Sequence, residues 1–321
     1  MRVVEPAFEI LDEFFQQGRI LEQIERCGRV CYKSEDKITP ESAIPFIKGI
    51  IKRGHESVLE MASIVLEVSV DGESIMHKFF ERIPRFCQAD KLERRHYLLS
   101  GNPRSFRDLA RGHKDLKLVK AIMRVLTSEY PVLFEDLAPS RGWIPQDGVR
   151  IKILSPAEID SLPVEYLIKH RNLLVHFIIN RAVSHELVRH RLASYLQESQ
   201  RYCRYGESKF GGEVAFIKPC FFEQGSHEYD LWQKAMESTE KIYLELLKTS
   251  SPQAARTVLP NSCKTEIMVH TNLAEWSHIL KLRASKAADP SMREIMLMLL
   301  PAMVEKFPPV FSPIQELLIQ D

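Results

Sequence analysis

The densest run of chemically capable side chains is His185-Glu186-Leu187-Val188-Arg189-His190-Arg191, continuing through Ser194, Gln197, Glu198, Ser199 and Gln200 to Arg201. A His-Glu pair on a helical segment invites a zinc-protease reading. Two zinc ligands on one helix face stand four apart, however, whereas His185 and His190 are five apart and about 140° round the helix, so the spacing argues against metal. The arginines offer better chemistry. Arg189, Arg191, Arg201 and Arg204 occur with no lysine among them, and planar guanidinium forks give bidentate recognition of phosphate or of nucleobase carbonyls that ammonium groups do not. Ser194, Gln197, Ser199 and Gln200 would add neutral donors and acceptors that fix an orientation. The plainer alternative is that these arginines only pair with the nearby acids Glu186 and Glu198.

Further candidates lie far off in sequence. His55-Glu56-Ser57 precedes an alternating apolar run, where His55 would either act chemically or simply cap or satisfy the core. Asn272 with Glu275 three residues later reads as a capping box opening a helix. Arg283 stands eleven residues beyond Asn272, about 16 Å along a helix, a span suited to a long ligand. Trp276 and Leu280 between them read as core. Cys203, beside the arginine cluster, reads as a small buried hydrophobe rather than a nucleophile.

These residues need a scaffold, and the composition supplies one. With 321 residues, 45% of them hydrophobic, the chain can bury a real core, which rules out disorder for most of its length. Lys plus Arg number 44 against 43 Asp plus Glu, so there is no global field of the histone-like or membrane-coating kind, and any anion binding must be local. Six cysteines form no C-x-x-C pair, no charged-then-apolar leader opens the chain, and no apolar run approaches the roughly 20 residues of a membrane helix. The sequence therefore reads as a soluble cytoplasmic protein with reduced thiols.

Periodicity predicts helices over 17–33 and over 40–53, the second with Thr39 as N-cap, Pro40 at its first position and Gly54 as its stop. Half-buried strands are expected at 61–70 and 173–179. Between them, 71–171 reads as a subdomain or insertion with helical patches at 73–82 and 114–135. Within it, Arg82 to Arg124 holds twelve Lys or Arg against four acids, either as a solvated surface or as one that faces an anion. Downstream, helix is expected at 182–191, irregular or extended chain at 209–222, helix at 228–248, strand at 265–271, helix from 272 to about 286 and a last helix after Pro290. The fold class is α+β, with helices packed on a modest mixed sheet.

Arg189-His190-Arg191 followed by seven residues and Ser199, extended by Gln200-Arg201-Tyr202, resembles the signature of the flavin-dependent thymidylate synthases. His55-Glu56-Ser57-Val58-Leu59-Glu60, Ala255-Arg256-Thr257-Val258-Leu259-Pro260 and the run Thr271-Asn272-Leu273 through His278 and Arg283 to Ile295 are similar to that family's flanking segments, in the same order. The resemblance covers 1–70 and 172–310. It implies that family's fold as one catalytic domain over 1–321, with 71–171 as a largely helical insertion. It also implies a homotetramer with active sites shared between subunits, FAD as cofactor, NADPH as reductant and methylenetetrahydrofolate as one-carbon donor to dUMP, giving dTMP and tetrahydrofolate.

By the same resemblance, His55, Ser57, Arg189, His190, Arg191, Gln197, Asn272 and His278 would contact FAD. The nucleotide would be held by Glu186, Leu187, Val188 and Arg189, by Gln197, Glu198, Ser199, Gln200 and Arg201, by Arg256 and by Arg283, with Arg283 catalytic beside the uracil N3. Ala274 and Met61 stand where relatives usually carry Arg and His. A different class of function, a non-catalytic nucleotide- or RNA-binding paralogue, would keep the anion site without turnover. The enzyme reading expects no membrane and no nucleic acid partner.

Overall fold

The computed structural model describes residues 1–84, 86–207 and 211–320. Strands and helices share them as an α+β protein. The strands are β1 (Arg2–Val4), β2 (Ala7–Ile10), β3 (Ile64–Val70), β4 (Cys87–Glu93), β5 (His96–Gly101), β6 (Val149–Ile153), β7 (Asn172–Asn180), β8 (Ser194–Gln197), β9 (Ala215–Ile217) and β10 (Lys264–Asn272). The chain divides into two compact units, one of Met1–Leu11, Gly28–Asp36 and Leu174–Asp321, the other of Asp12–Cys27 and Lys37–Leu173. Arg85 of the basic run and Lys209, where the extended 209–222 segment was expected to start, lie outside the described residues.

In the first unit a four-stranded sheet has the order β2-β7-β10-β8, with β1 and β9 forming a separate parallel pair. β7 is expected to be half-buried, yet both its faces are covered. Val175, Phe177 and Ile179 fill one side, with Trp276 6.2 Å from Phe177 ring to ring, and Leu174 and His176 are buried on the other. His176 is accommodated there because its Nε2 lies 3.1 Å from Glu266. β7 and β10 each run directly into a helix through an asparagine cap. Asn180 accepts the Val183 N–H at 2.8 Å to open Arg181–Leu187, and Asn272 accepts the Glu275 N–H at 2.9 Å to open Leu273–Arg283. Trp276 and Leu280 are core, as expected.

In the second unit the sheet order is β4-β5-β3-β6, and every pairing is antiparallel. β3 begins at Ile64, because 56–61 is first taken up by a 3-10 helix. The segment 71–171 is less purely helical than expected, since three of the four strands belong to it and two of them flank β3. The helix expected from Pro40 starts at Ala43 instead. Thr39 to Ser42 forms a turn closed by Ser42 N–H on Thr39 O, and the Ser42 hydroxyl is shared between Thr39 and Glu25. Gly54 ends that helix at φ +71°, the left-handed conformation its sequence position calls for.

Five of the twelve basic residues of the run, Arg82, Lys91, Arg104, Arg107 and Arg111, are answered by acids inside this unit. Arg82 lies 3.5 Å from Asp115 and Lys91 3.1 Å from Glu73, while Arg104 pairs with Glu60. Arg107 is fully buried, with Glu56 at 3.0 Å and Asp136 at 2.6 Å, and Arg111 also binds Glu56. Hydrogen bonds from Arg111 and Arg107 outweigh burial and hold the Glu56 carboxyl down at about 2. A second cluster joins Ser100, His170 and Asp90, with a hydrogen bond of 2.8 Å between the Ser100 hydroxyl and His170 Nδ1 and Asp90 3.2 Å from His170 Nε2. Ser100 and His170 are both buried, so this is a packing device rather than an accessible nucleophile, and burial pushes the His170 pKa down to about 4.

Candidate functional site

The two strand–asparagine–helix units of the first compact body create the site. Glu186 stands near the end of the helix Arg181–Leu187, His190 just past it, and Arg283 is the last residue of Leu273–Arg283. Arg283 Nη1 donates to Glu186 Oε2 at 2.8 Å, Nη2 to the Glu186 carbonyl at 3.3 Å, and Nε to His190 Nε2 at 3.0 Å. Burial, then the charges of Arg283 and His278, push the His190 pKa down to about 4. The helix expected to reach Arg191 stops at Leu187. The Tyr195 hydroxyl lies 2.8 Å from the Leu187 carbonyl and 2.7 Å from that of His190, tying down the turn that carries Arg189. Tyr195 can do this because β8 pairs with β10 from Ser194 onward.

Arg189, Arg191 and Arg201 are exposed, and Arg256 is half-buried. Among the described residues none of the four has an acidic partner, because the acids expected to answer them are engaged elsewhere. Glu186 takes Arg283. Glu198 is buried, with the Tyr205 hydroxyl at 2.8 Å and Lys264 at 2.9 Å. It belongs to an interior ionic network with Glu266, Lys264 and Lys33, around a cavity of about 270 Å³. Burial opposes the Glu266 charge, but the hydrogen bond from His176 and the two ammonium groups hold its carboxyl well below the usual range. Lys33 reaches in from a left-handed position at φ +48° that closes the helix Ile20–Tyr32, with Ser34 N–H on Arg29 O and Lys33 N–H on Val30 O. The Glu198 carboxylate is thus committed to Tyr205 and Lys264, and the Leu187 side chain is fully buried.

Other expected residues have definite tasks of their own. Gln197 donates to Ser184 Oγ at 2.9 Å and Thr265 Oγ1 at 3.1 Å, and Gln200 Nε2 lies 3.7 Å from Cys263 Sγ. The Ser199 N–H is held by the Cys31 carbonyl, and its hydroxyl takes the Arg201 N–H at 3.3 Å. Val188 and His278 are exposed, the latter edge-on to His190 at 5.6 Å between centroids. The Asn272 Oδ1 is committed to capping. Cys203 is buried, and burial pushes its thiol up to about 12, as suits a core residue. His55 and Ser57 belong to the second unit, where both are exposed and His55 makes no capping side-chain bond.

His190, Glu275 and His278 bring ligand-type atoms within 4.8 Å of one another. Arg283 answers the metal question. Its Nε–H already donates to His190 Nε2, so a cation on Nδ1 would leave a proton on Nε2 facing another proton donor. Sequence reasoning missed the roles of Glu275 and Tyr195. Glu275 was visible only as the third residue after a cap, and nothing local announces that its carboxylate is buried beside a histidine 85 positions earlier.

One compact unit thus carries four arginines without acidic partners among the described residues and a fifth, Arg283, anchored by Glu186 and His190, a donor set whose chemistry suits anionic groups. The family model described as thymidylate synthase complementing protein matches residues 18–132 and 163–309, and the chain belongs to that family. The match leaves out 133–162 rather than all of 71–171. Among curated relatives, the flavin-dependent thymidylate synthase of Pyrococcus abyssi (strain GE5 / Orsay) is 39% identical over 117 residues, 36% of this chain and 47% of that protein. That of Thermococcus onnurineus (strain NA1) is 35% identical over 134 residues, 39% of this chain and 54% of that protein. The chain thus spans about half the length of the curated relatives it matches. Among solved structures, ThyX from Helicobacter pylori with FAD and dUMP aligns at TM-score 0.37 and 20% identity, over 44% of this chain and 72% of that one.

Proposed function

We propose that this chain is a flavin-dependent thymidylate synthase, converting dUMP to dTMP with methylenetetrahydrofolate as carbon donor and NADPH as reductant. The observation that carries the reading is the set of four arginines, Arg189, Arg191, Arg201 and Arg256, gathered in one compact unit and left without acids among the described residues. Unanswered guanidinium charge suits phosphate-bearing ligands, and the donor set fits two of them, FAD and dUMP. Bound FAD would supply the hydride that no side chain can carry.

The chain's own residues would do the rest. Arg201, with the Ser199 hydroxyl beside its backbone and help from Arg256, would grip the nucleotide phosphate. Arg189 and Arg191 would contact FAD, as would His278. Arg283 keeps two N–H groups beyond those it gives to Glu186 and His190. These would face the uracil edge, where a fixed guanidinium stabilises the negative charge that makes C5 nucleophilic. The Glu186 carboxylate holds the guanidinium in the absence of nucleotide. The active form would be a homotetramer with shared sites, working in the cytoplasm without nucleic acid, and the segment 71–171 would serve as a subdomain of that single enzyme.

The test is an absorbance spectrum, a sizing column and an assay of dTMP formation on the purified chain. A yellow oligomer that makes dTMP is the expected outcome. A colourless protein that takes up no FAD overturns the reading, and a yellow or nucleotide-binding protein without turnover identifies the non-catalytic paralogue.

A further inference from the structure

The contact between Arg283 and His190 carries information about a proton. The Arg283 Nε–H donates to His190 Nε2 at 3.0 Å. A neutral imidazole has one proton, so the nitrogen that accepts from Arg283 is bare and the proton resides on Nδ1. That nitrogen lies 3.6 Å from Glu275 Oε1, within ion-pair range though beyond hydrogen-bond length. The opposite tautomer would set a bare Nδ1 against a carboxylate oxygen and Nε2–H against Arg283 Nε–H. Both neighbours therefore select the same tautomer.

The position of Glu275 is itself determined. Its backbone N–H is the one held by the Asn272 cap, which puts its side chain in the first turn of Leu273–Arg283, buried and beside His190. Burial raises the Glu275 carboxyl above its usual value. The other groups around the His190 ring are Arg283, His278 edge-on, and Glu186 through Arg283, while the Tyr195 hydroxyl fixes the His190 backbone. The consequence falls on the guanidinium. With Nε given to His190, the plane of Arg283 is set, and only its terminal nitrogens can turn from Glu186 to another acceptor.

We infer that Glu275 is a positioning residue: it fixes the tautomer of His190, and His190 in turn fixes the plane of the Arg283 guanidinium. The reaction-side consequence rests on the proposed reading of Arg283 as the residue facing the uracil, and the tautomer itself does not. Neither His190 nor Glu275 needs to touch the reacting atoms for this.

The experiment is nitrogen-15 NMR of the His190 imidazole in the full-length, flavin-loaded protein, in the wild type and in Glu275→Gln, which leaves the backbone cap intact. The wild type should show the Nδ1–H form in more than about tenfold excess, since each wrong contact with a charged partner costs at least that factor. Glu275→Gln should erode that excess. It should also lower dTMP turnover about tenfold with the dUMP KM within about twofold and flavin content unchanged, the size typical of losing an orienting partner. Arg283→Lys, which removes the Nε donor, should erode the excess from the other side. A wild type protonated on Nε2, or a Glu275→Gln protein with an unchanged tautomer, overturns the inference. If the wild type makes no dTMP, the functional reading fails while the NMR result still decides the tautomer.

Discussion

Arg107 in one compact unit and Arg201 in the other are the same side chain in opposite circumstances. Arg107 is wholly buried, with Glu56 and Asp136 on its guanidinium and the Leu133 carbonyl completing its bonds. Arg171 in the same unit is likewise buried between Asp12 and Asp160, stacked 3.5 Å over Phe15. Arg201 is exposed, has no acidic partner among the described residues, and lies 5.7 Å from the ring centroid of its neighbour Tyr202. A charge that the fold has already answered contributes to cohesion, whereas one left unanswered is available to a ligand. The run of twelve basic residues, the loudest electrostatic signal in the sequence, divides between the two kinds, with five of them, Arg82, Lys91, Arg104, Arg107 and Arg111, paired to acids. The functional signal is the quieter cluster whose acids are occupied elsewhere.

Substitutions can test that contrast. The largest effect should come from Arg107→Ala, which leaves Glu56 and Asp136 without their counter-charge and should cost about 3–5 kcal/mol of stability. Urea titration measures it, and an unchanged midpoint would erase the distinction. Arg283→Ala should leave the unfolding free energy from urea titration within about 1 kcal/mol and lower single-turnover dTMP formation by roughly 10² to 10³, in the range of a lost oxyanion donor. A marked loss of stability with normal turnover would make Arg283 another structural arginine. Arg201→Ala should weaken dUMP binding by about 1.5–3 kcal/mol in calorimetry while FAD stays bound.

Acid should act first on the two buried imidazoles, His170 in one unit and His190 in the other, each at about 4 in the fold. His170 is held neutral, with its folded pKa of about 4 below the ordinary value of about 6.5. Its contribution is present above the ordinary value and lost as pH falls from there toward 4. Glu56, at about 2 in the fold, contributes above its ordinary value of about 4.3 and loses that contribution as pH falls toward 2. Melting temperature against pH should fall through both windows, and Glu56→Gln should flatten the lower one. The smallest effect should come from reversing Arg94 and Arg95 together, both exposed on the β4–β5 turn, which should change stability by no more than about 0.5 kcal/mol. If the segment draws in anionic folate, the same variant raises the folate KM and flattens its salt dependence. Arg104 is unsuitable for that test because Glu60 already holds it.

The legible parts of the fold were those with local signals. Asn272 capped the helix it was expected to cap, Gly54 ended the one it was expected to end, and β10 begins one residue before and ends one after the strand expected there. The β4–β5 hairpin was invisible for an equally local reason. Its two-residue turn is Arg94–Arg95, with Arg95 at φ +65°, so the glycine or asparagine that announces such a turn is absent. Within the site, the arginine spacing and Arg283 stood out in sequence, but the fate of Glu198 did not. Its partner Lys264 lies 66 residues away, and no local pattern reports which of two acids will face the interior.

The pairing of β2 with β7 bears on synthesis of the chain. Ala7 sits opposite Ile178 and Ile10 opposite Val175, so β2 has no partner until the ribosome has passed residue 178, roughly 170 residues later. At roughly 5–20 residues per second, that wait lasts on the order of ten to thirty seconds. Through it, β2 must remain unpaired or be sheltered by a chaperone. The second unit, whose segments all lie before Leu174, has its whole sequence in hand by then. Its sheet can form co-translationally, and the body carrying the arginine site is the last to close.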